Sequence, residues 1–336
     1  MIQFFSLILM FVFVKNKNDL YTYAAITVVA SVGSNLYNWI HSKKYCKAQL
    51  TKNINIKKHL KPILLIFATT ISISIYSTSD MVILGLLSGA QATGLYSVSA
   101  KVFDIAKSTL AAIILVSIPR LSSILGKGNF SEYENLSGKI YKTLISLATP
   151  TMIGIMLLGK DVVLIISGIE YIDAVPSLRI LCIAAIINLG AWFYGQCVLI
   201  PLKKEKIMFN MSILTALLNI ILNIILIPVW KENAAAFTTL ISEFVSFAIV
   251  SIYSGKYVKF TGVIKTYLKT MIGCMVLSTG VLFIMYQKLS IYLEIILAVG
   301  LGGFLYLVTE IALHNNEFIS LVLSFLKWSK KKLGWK

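Results

Sequence analysis

The sequence predicts an all-α polytopic membrane protein with about ten transmembrane helices. Three observations carry that reading. Hydrophobic residues make up 57% of the 336-residue chain and charged residues only 13%, against about 25% charged in a soluble domain. The apolar residues come in runs of about 20, the length that crosses a bilayer, and not at amphipathic spacing. The basic residues collect in alternate loops between those runs, as the positive-inside rule requires.

Taken in order, the first apolar run is Met1–Val14. At 1.5 Å per residue it covers about 21 Å of a hydrocarbon core roughly 30 Å thick. It lacks the basic start and small-residue cleavage site of a signal peptide. It reads as the rear part of a span whose beginning is missing. Tyr21–His41 is the second span, followed by a basic loop over 42–60. A hairpin follows, Lys61–Leu87 and Thr93–Leu125, turning at Ser88-Gly89-Ala90. The remaining spans are Ile140–Leu158, Leu178–Ile200, Ile207–Val229, Ala234–Tyr253, Tyr267–Tyr286 and Ile291–Leu313. The tail, 317–336, joins FISLVLSFL to KWSKKKLGWK and reads as a basic amphipathic helix on the inner surface.

The span assignment puts 23 of the 31 basic residues on one side of the membrane, five on the other and three inside spans. That side is read as the cytoplasm, and both termini then lie there. The formal charge of +17 is thus explained by topology, and no nucleic-acid partner is expected. Cys46, Cys182, Cys197 and Cys274 show no paired spacing and read as free thiols. His41, His59 and His314 are far apart, so no metal site is expected. The GKGN at Gly126 lacks the spacing of a phosphate loop. Gly300, Gly302 and Gly303 read as close-packing positions.

Charges inside spans carry the functional reading. A charge at mid-bilayer costs about 2.5–3.5 kcal/mol on insertion scales, so such groups should face a polar cavity or one another. Lys101, Asp104 and Lys107 step by three and share one side of a helix. Asp104 can pair with either lysine, leaving one cation over for an anionic substrate. Asp80 follows Tyr76-Ser77-Thr78-Ser79. It can pair with Lys101 across the hairpin, cap a helix break, or exchange H+ or Na+. Glu243, with Ser242 and Ser246, and Gln196, beside Tyr194 and Gly195, are further cavity candidates. Asn219 and Asn223 share a helix face and read as glue between helices. Arg179, near Asp173, reads as snorkelling to the surface. Glu294 and Glu310, near span ends, read as interfacial. Pro119, Pro150, Pro201 and Pro228 are places where spans can kink.

Several segments together resemble the polysaccharide flippases of the Wzx type, in the multidrug/oligosaccharidyl-lipid/polysaccharide exporter superfamily. They are LKPILLIF at Leu60, SDMVILGLLSG at Ser79–Gly89, ATGLYSVSAKV at Ala92–Val102 and IPRLS at Ile118–Ser122. They continue with QCVLIPLKKEK at Gln196–Lys206, NIILNIILIP at Asn219–Pro228 and AAAFTTLISEF at Ala234–Phe244. The resemblance covers roughly residues 30–255. It implies two six-helix lobes around a cavity, with 1–41 as the last two helices of an incomplete first lobe. On that plan 61–255 is the complete second lobe and 265–313 a pair of additional helices. The chain then resembles a flippase lacking about four N-terminal helices. Asn233 departs from the family pattern, which often has glycine there.

The function implied is not an enzyme's. It is movement of an undecaprenyl-diphosphate-linked oligosaccharide from inner to outer leaflet of a bacterial cytoplasmic membrane, for lipopolysaccharide or capsule biosynthesis. Lys101, Lys107 and Gln196 would contact substrate; Asp80, Asp104 and Glu243 would set cavity charge or couple to H+ or Na+. No cofactor is implied. Partners would be membrane lipid and other polysaccharide-assembly membrane proteins. A cation-coupled drug exporter and a non-transporting truncated remnant are the alternatives.

Overall fold

The computed structural model describes residues 2–15, 19–43 and 56–323. Those residues form helices α1 (Ile2–Phe13), α2 (Leu20–Ser42), α3 (Ile56–Gly126), α4 (Phe130–Leu157), α5 (Gly159–Ser167), α6 (Val175–Tyr194), α7 (Glu205–Ser254), α8 (Val263–Tyr286) and α9 (Ile291–Ala312). A further short helix occupies 316–323. No strand occurs among the described residues. Cys46 and most of the 42–60 loop fall outside them, as does the basic end of the tail.

Two of these helices are pairs. α3 breaks at Gly89, where φ is 82° and ψ −179°. Only glycine enters that region without steric cost, and this is the turn expected at Ser88-Gly89-Ala90. α7 breaks at Lys231, where φ is 48° and ψ −127°. Divided at these breaks, the helices supply one segment for each of the ten expected spans. Six helices or parts of helices among the described residues, including most of α3 and all of α7, are long and apolar enough to cross a membrane. The protein is a multi-pass membrane protein. The 158–178 stretch, expected as loop, instead holds α5 and a 3-10 turn, Ile169–Ala174.

The chain divides into two compact units, Met1–Phe67 and Ala68–Lys336. In the first, α1 packs against α2. α1 has 12 residues, or about 18 Å of helix. The faces of α1 and α2 carry exposed Phe5, Phe11, Val28 and Val29, which suits contact with lipid.

In the second unit α4 packs on α6 and α8, α6 on α7, and α8 on α9. One core joins Ile114 and Leu121 of α3 to Tyr133, Leu144 and Met152 of α4 and to Leu178, Leu189 and Phe193 of α6. A second gathers around the two breaks, with Leu84, Ala92 and Tyr96 of α3 against Ile227 and Ala234–Ala236 of α7. The three consecutive alanines are fully buried. Small side chains there let helix backbones approach, which drives association where lipid is as apolar as the protein.

Two expectations are corrected. Glu310 is not interfacial: it is 0% exposed, because Asn315 just beyond α9 folds back and donates to its Oε2 at 2.5 Å. Of the three glycines in α9, only Gly302 is in close contact, since a Cβ there would lie 2.9 Å from Val281. Gly300 and Gly303 face open space. Over 316–323 the start of the tail is helical and packs Phe318 into the α8–α9 core.

Candidate functional site

The breaks in α3 and α7 place four helical arms side by side. Asp80 lies nine residues before Gly89 and Tyr96 seven after it. Asn223 lies eight residues before Lys231 and Thr239 eight after it. At 1.5 Å per residue each is about 10–14 Å from its turn, so all four meet at one depth.

Asp80 is the centre of that meeting and is only 8% exposed. The Asn223 amide donates to its Oδ1 at 2.6 Å. The Tyr96 hydroxyl donates to Oδ2 at 3.0 Å and the Thr239 hydroxyl to the same oxygen at 2.8 Å. A second tier supports the first. Asn223 also donates to Asn219 Oδ1 at 3.0 Å, and Thr238 donates to Asn223 Oδ1 at 2.5 Å. Ser79 reaches Asn219 Oδ1 at 3.4 Å. A buried carboxylate is tolerated only where donors replace its lost water, and here they come from both hairpins. The network thus fastens α3 to α7. Its hydrogen bonds must rearrange if either hairpin moves or if Asp80 takes up a cation.

Asp80 does not pair with Lys101. Lys101 is exposed on the second arm of α3. Asp104 pairs instead with Lys107, at 3.3 Å, and the Lys107 ammonium also lies over the Phe103 ring, 4.4 Å from its centroid. Asp104 is the more exposed partner of that pair. The pair leaves Lys101 as the surplus cation of the trio. Glu243 is 5% exposed, one turn beyond Thr239. Gln196 is half-buried in a π-helical turn, Gly195–Leu199, that ends α6. Arg179 is exposed, and its Nε donates to the Met156 carbonyl at 3.2 Å. No group of three or more His, Cys, Asp or Glu gathers among the described residues. Cys182, Cys197 and Cys274 are free and buried.

Tyr96, Thr238 and Thr239 were missed in the sequence, and Asn219 and Asn223 were read only as glue. Tyr96, Asn223, Thr238 and Thr239 each lie seven or eight residues from a helix break, but nothing in the sequence marks which side of each arm they occupy.

The sequence profile of a family described as "Polysaccharide biosynthesis protein" matches residues 2–125. Over 240 residues the chain is 27% identical to a protein of Escherichia coli (strain K12) named "Putative O-antigen transporter". That alignment takes in 70% of this chain and 57% of the relative. It is 26% identical over 254 residues to the "Capsular polysaccharide biosynthesis protein CapF" of Staphylococcus aureus, covering 74% of this chain and 63% of that one. The chain resembles the polysaccharide flippases. Its fold is that of a solved flippase structure, "Lipid II flippase MurJ, inward closed conformation", with a TM-score of 0.67 at 18% identity, over 88% of this chain and 63% of that one. The chain therefore spans less than two thirds of the length of each of these three proteins.

Proposed function

We propose that this chain takes part in moving a lipid-linked polysaccharide precursor across a bacterial cytoplasmic membrane, from inner to outer leaflet. The carrier lipid would be undecaprenyl diphosphate. The observation that carries the mechanism is the buried Asp80 network between two broken helices. Transport by rocking helices needs an element with two arrangements and a ligand that favours one of them. The Asp80 carboxylate holds three donors from both hairpins. A proton or a Na+ arriving there would compete with those donors and loosen α3 from α7. Residues 61–255 would form one lobe around this junction. Lys101, with Lys107 behind it, would meet the diphosphate, and Asp104 would hold Lys107 in place. Glu243 and Gln196 would line the remaining polar path. Flipping breaks no bond, so no catalytic group is assigned.

The test uses cells that depend on this chain for surface polysaccharide. Asp80→Asn keeps the shape of the network and removes its charge. Surface polysaccharide should fall at least tenfold while the protein still inserts at normal abundance. Lys101→Ala should lower it as well. Normal polysaccharide with Asp80→Asn would remove ion coupling at this site. Normal polysaccharide together with altered resistance to cationic drugs would point to a drug exporter instead.

A further inference from the structure

A second polar site lies at the end of the bundle that carries the two helix breaks. There a cavity of about 600 Å3 opens between the α3 turn, the start of α5, the start of α6 and the α7 break. Three cations line it: Lys160, Arg179 and Lys231. They come from three separate stretches of chain. Two carboxylates, Asp173 and Glu232, line it as well, which leaves the wall with one positive charge in excess. The volume lies within the roughly 300–1,000 Å3 of small-molecule sites.

Three further observations indicate that this is a built site. First, the ion pairs among the described residues lie elsewhere, at Asp104–Lys107 and Lys142–Glu317, so none of the three cations is held in a salt bridge. Arg179 uses only its Nε on the Met156 carbonyl, and its remaining N–H groups are the planar fork that suits carboxylate or phosphate. Second, Lys231 holds a left-handed φ of 48° at the break. Glycine would sit there without strain, and strained backbone of this kind concentrates where a side chain has work to do. Third, the Asn233 amide lines this cavity beside the cations. Ser88 and Gln91 add neutral polar groups. A mixture of neutral donors and acceptors with a small cationic excess suits a sugar bearing one anionic group.

We infer that this cavity binds an acidic sugar residue, one carrying a carboxylate or phosphate, as a site separate from the Asp80 junction. The sugar assignment rests on the flippase reading. The site would then hold the acidic part of the glycan at one mouth of the transport path. The charge distribution along the chain assigns that mouth to the outer face.

The test is calorimetric titration of the purified full chain in neutral detergent, at constant ionic strength. The probes are glucuronate, glucose 1-phosphate, glucose and phosphatidylglycerol. The two sugar anions should bind saturably, and glucose at least tenfold more weakly. Arg179→Gln should weaken glucuronate binding at least tenfold, with Lys160→Gln as the second variant should the first not fold. Lys231→Gly separates ligand from scaffold: it should raise the thermal midpoint by relieving strain while weakening glucuronate binding. Lys139→Gln, outside the cavity, should bind as the unaltered chain does.

Equal binding by the unaltered chain and the cavity variants would overturn the inference. So would glucose binding as tightly as glucuronate, or phosphatidylglycerol saturating the site with no response to glucuronate. Failure here with polysaccharide export still dependent on Asp80 leaves the flippase reading standing. Tight glucuronate binding with export indifferent to Asp80→Asn does the reverse.

Discussion

Two prolines each remove a backbone donor, and each loss is made good by a tyrosine. Pro150 has no N–H to offer the Ser146 carbonyl one turn earlier, and the Tyr306 hydroxyl donates to that carbonyl at 2.6 Å. Pro201 likewise frees the Cys197 carbonyl, and the Tyr133 hydroxyl donates to it at 2.5 Å. Both carbonyls lie in buried surroundings, where an unmet acceptor costs about 1–3 kcal/mol. Tyr306→Phe should therefore lower the thermal midpoint in detergent by several degrees. Pro150→Ala restores the missing N–H, so Tyr306→Phe/Pro150→Ala should lose much less than Tyr306→Phe alone. Additive losses in that double-mutant cycle would show that Tyr306 acts through packing alone. The Asp80 network follows the same rule at higher stakes, since an ionised acceptor needs more donors than a carbonyl does.

At the scale of elements, the two breaks decide what the helices can do. A continuous α3 would run about 105 Å at 1.5 Å per residue over its 71 residues, far more than a membrane is thick. The turn at Gly89 folds it into two arms and brings Tyr96 back to Asp80. Gly89→Ala should cost about 1–3 kcal/mol, because an L-residue is strained at φ 82°, although open space surrounds the position. A thermal midpoint unchanged by Gly89→Ala would mean that the turn relaxes to another geometry. The hairpin was legible in the sequence because glycine between the small residues Ser88 and Ala90 is a local signal. The α7 break was only partly legible. Lys231 is not a residue that favours positive φ, so its turn could be placed from span length but not from residue type.

At the scale of the molecule, the last helices are tied to the bundle through α4. Asn315 bridges Glu310 to Ser146, and Lys142 pairs with Glu317. Partial burial of Glu317 works against its charge, but the hydrogen bond and charge of Lys142 prevail and hold its carboxyl below the ordinary range. A carboxyl whose pKa is lower when folded binds fewer protons folded than unfolded. Its contribution is complete above the ordinary glutamate pKa and is lost as pH falls through the lower folded value. Thermal midpoints measured from pH 6 down to pH 3 should thus fall more steeply in the unaltered chain than in Glu317→Gln. Parallel curves would show that the pair does not secure the tail.

The sequence by itself determined the class of the protein, the number of helical segments and the α3 turn. Each is a local property: twenty apolar residues span a bilayer whatever surrounds them, and glycine permits its own turn. Only the tertiary structure decided which way each helix faces. Lipid is as apolar as the protein interior, so the sequence of a spanning helix carries no amphipathic stripe to mark its inner side. That is why Asp80 could be singled out while its partners could not. Lys101 was a plausible partner by charge, but Tyr96, Asn223 and Thr239 have the geometry. For the same reason Glu310, near a span end, proved to be wholly buried. The cavity at the helix breaks depends on three turns distant in sequence, and only the packing of all the arms brings Lys160, Arg179 and Lys231 together.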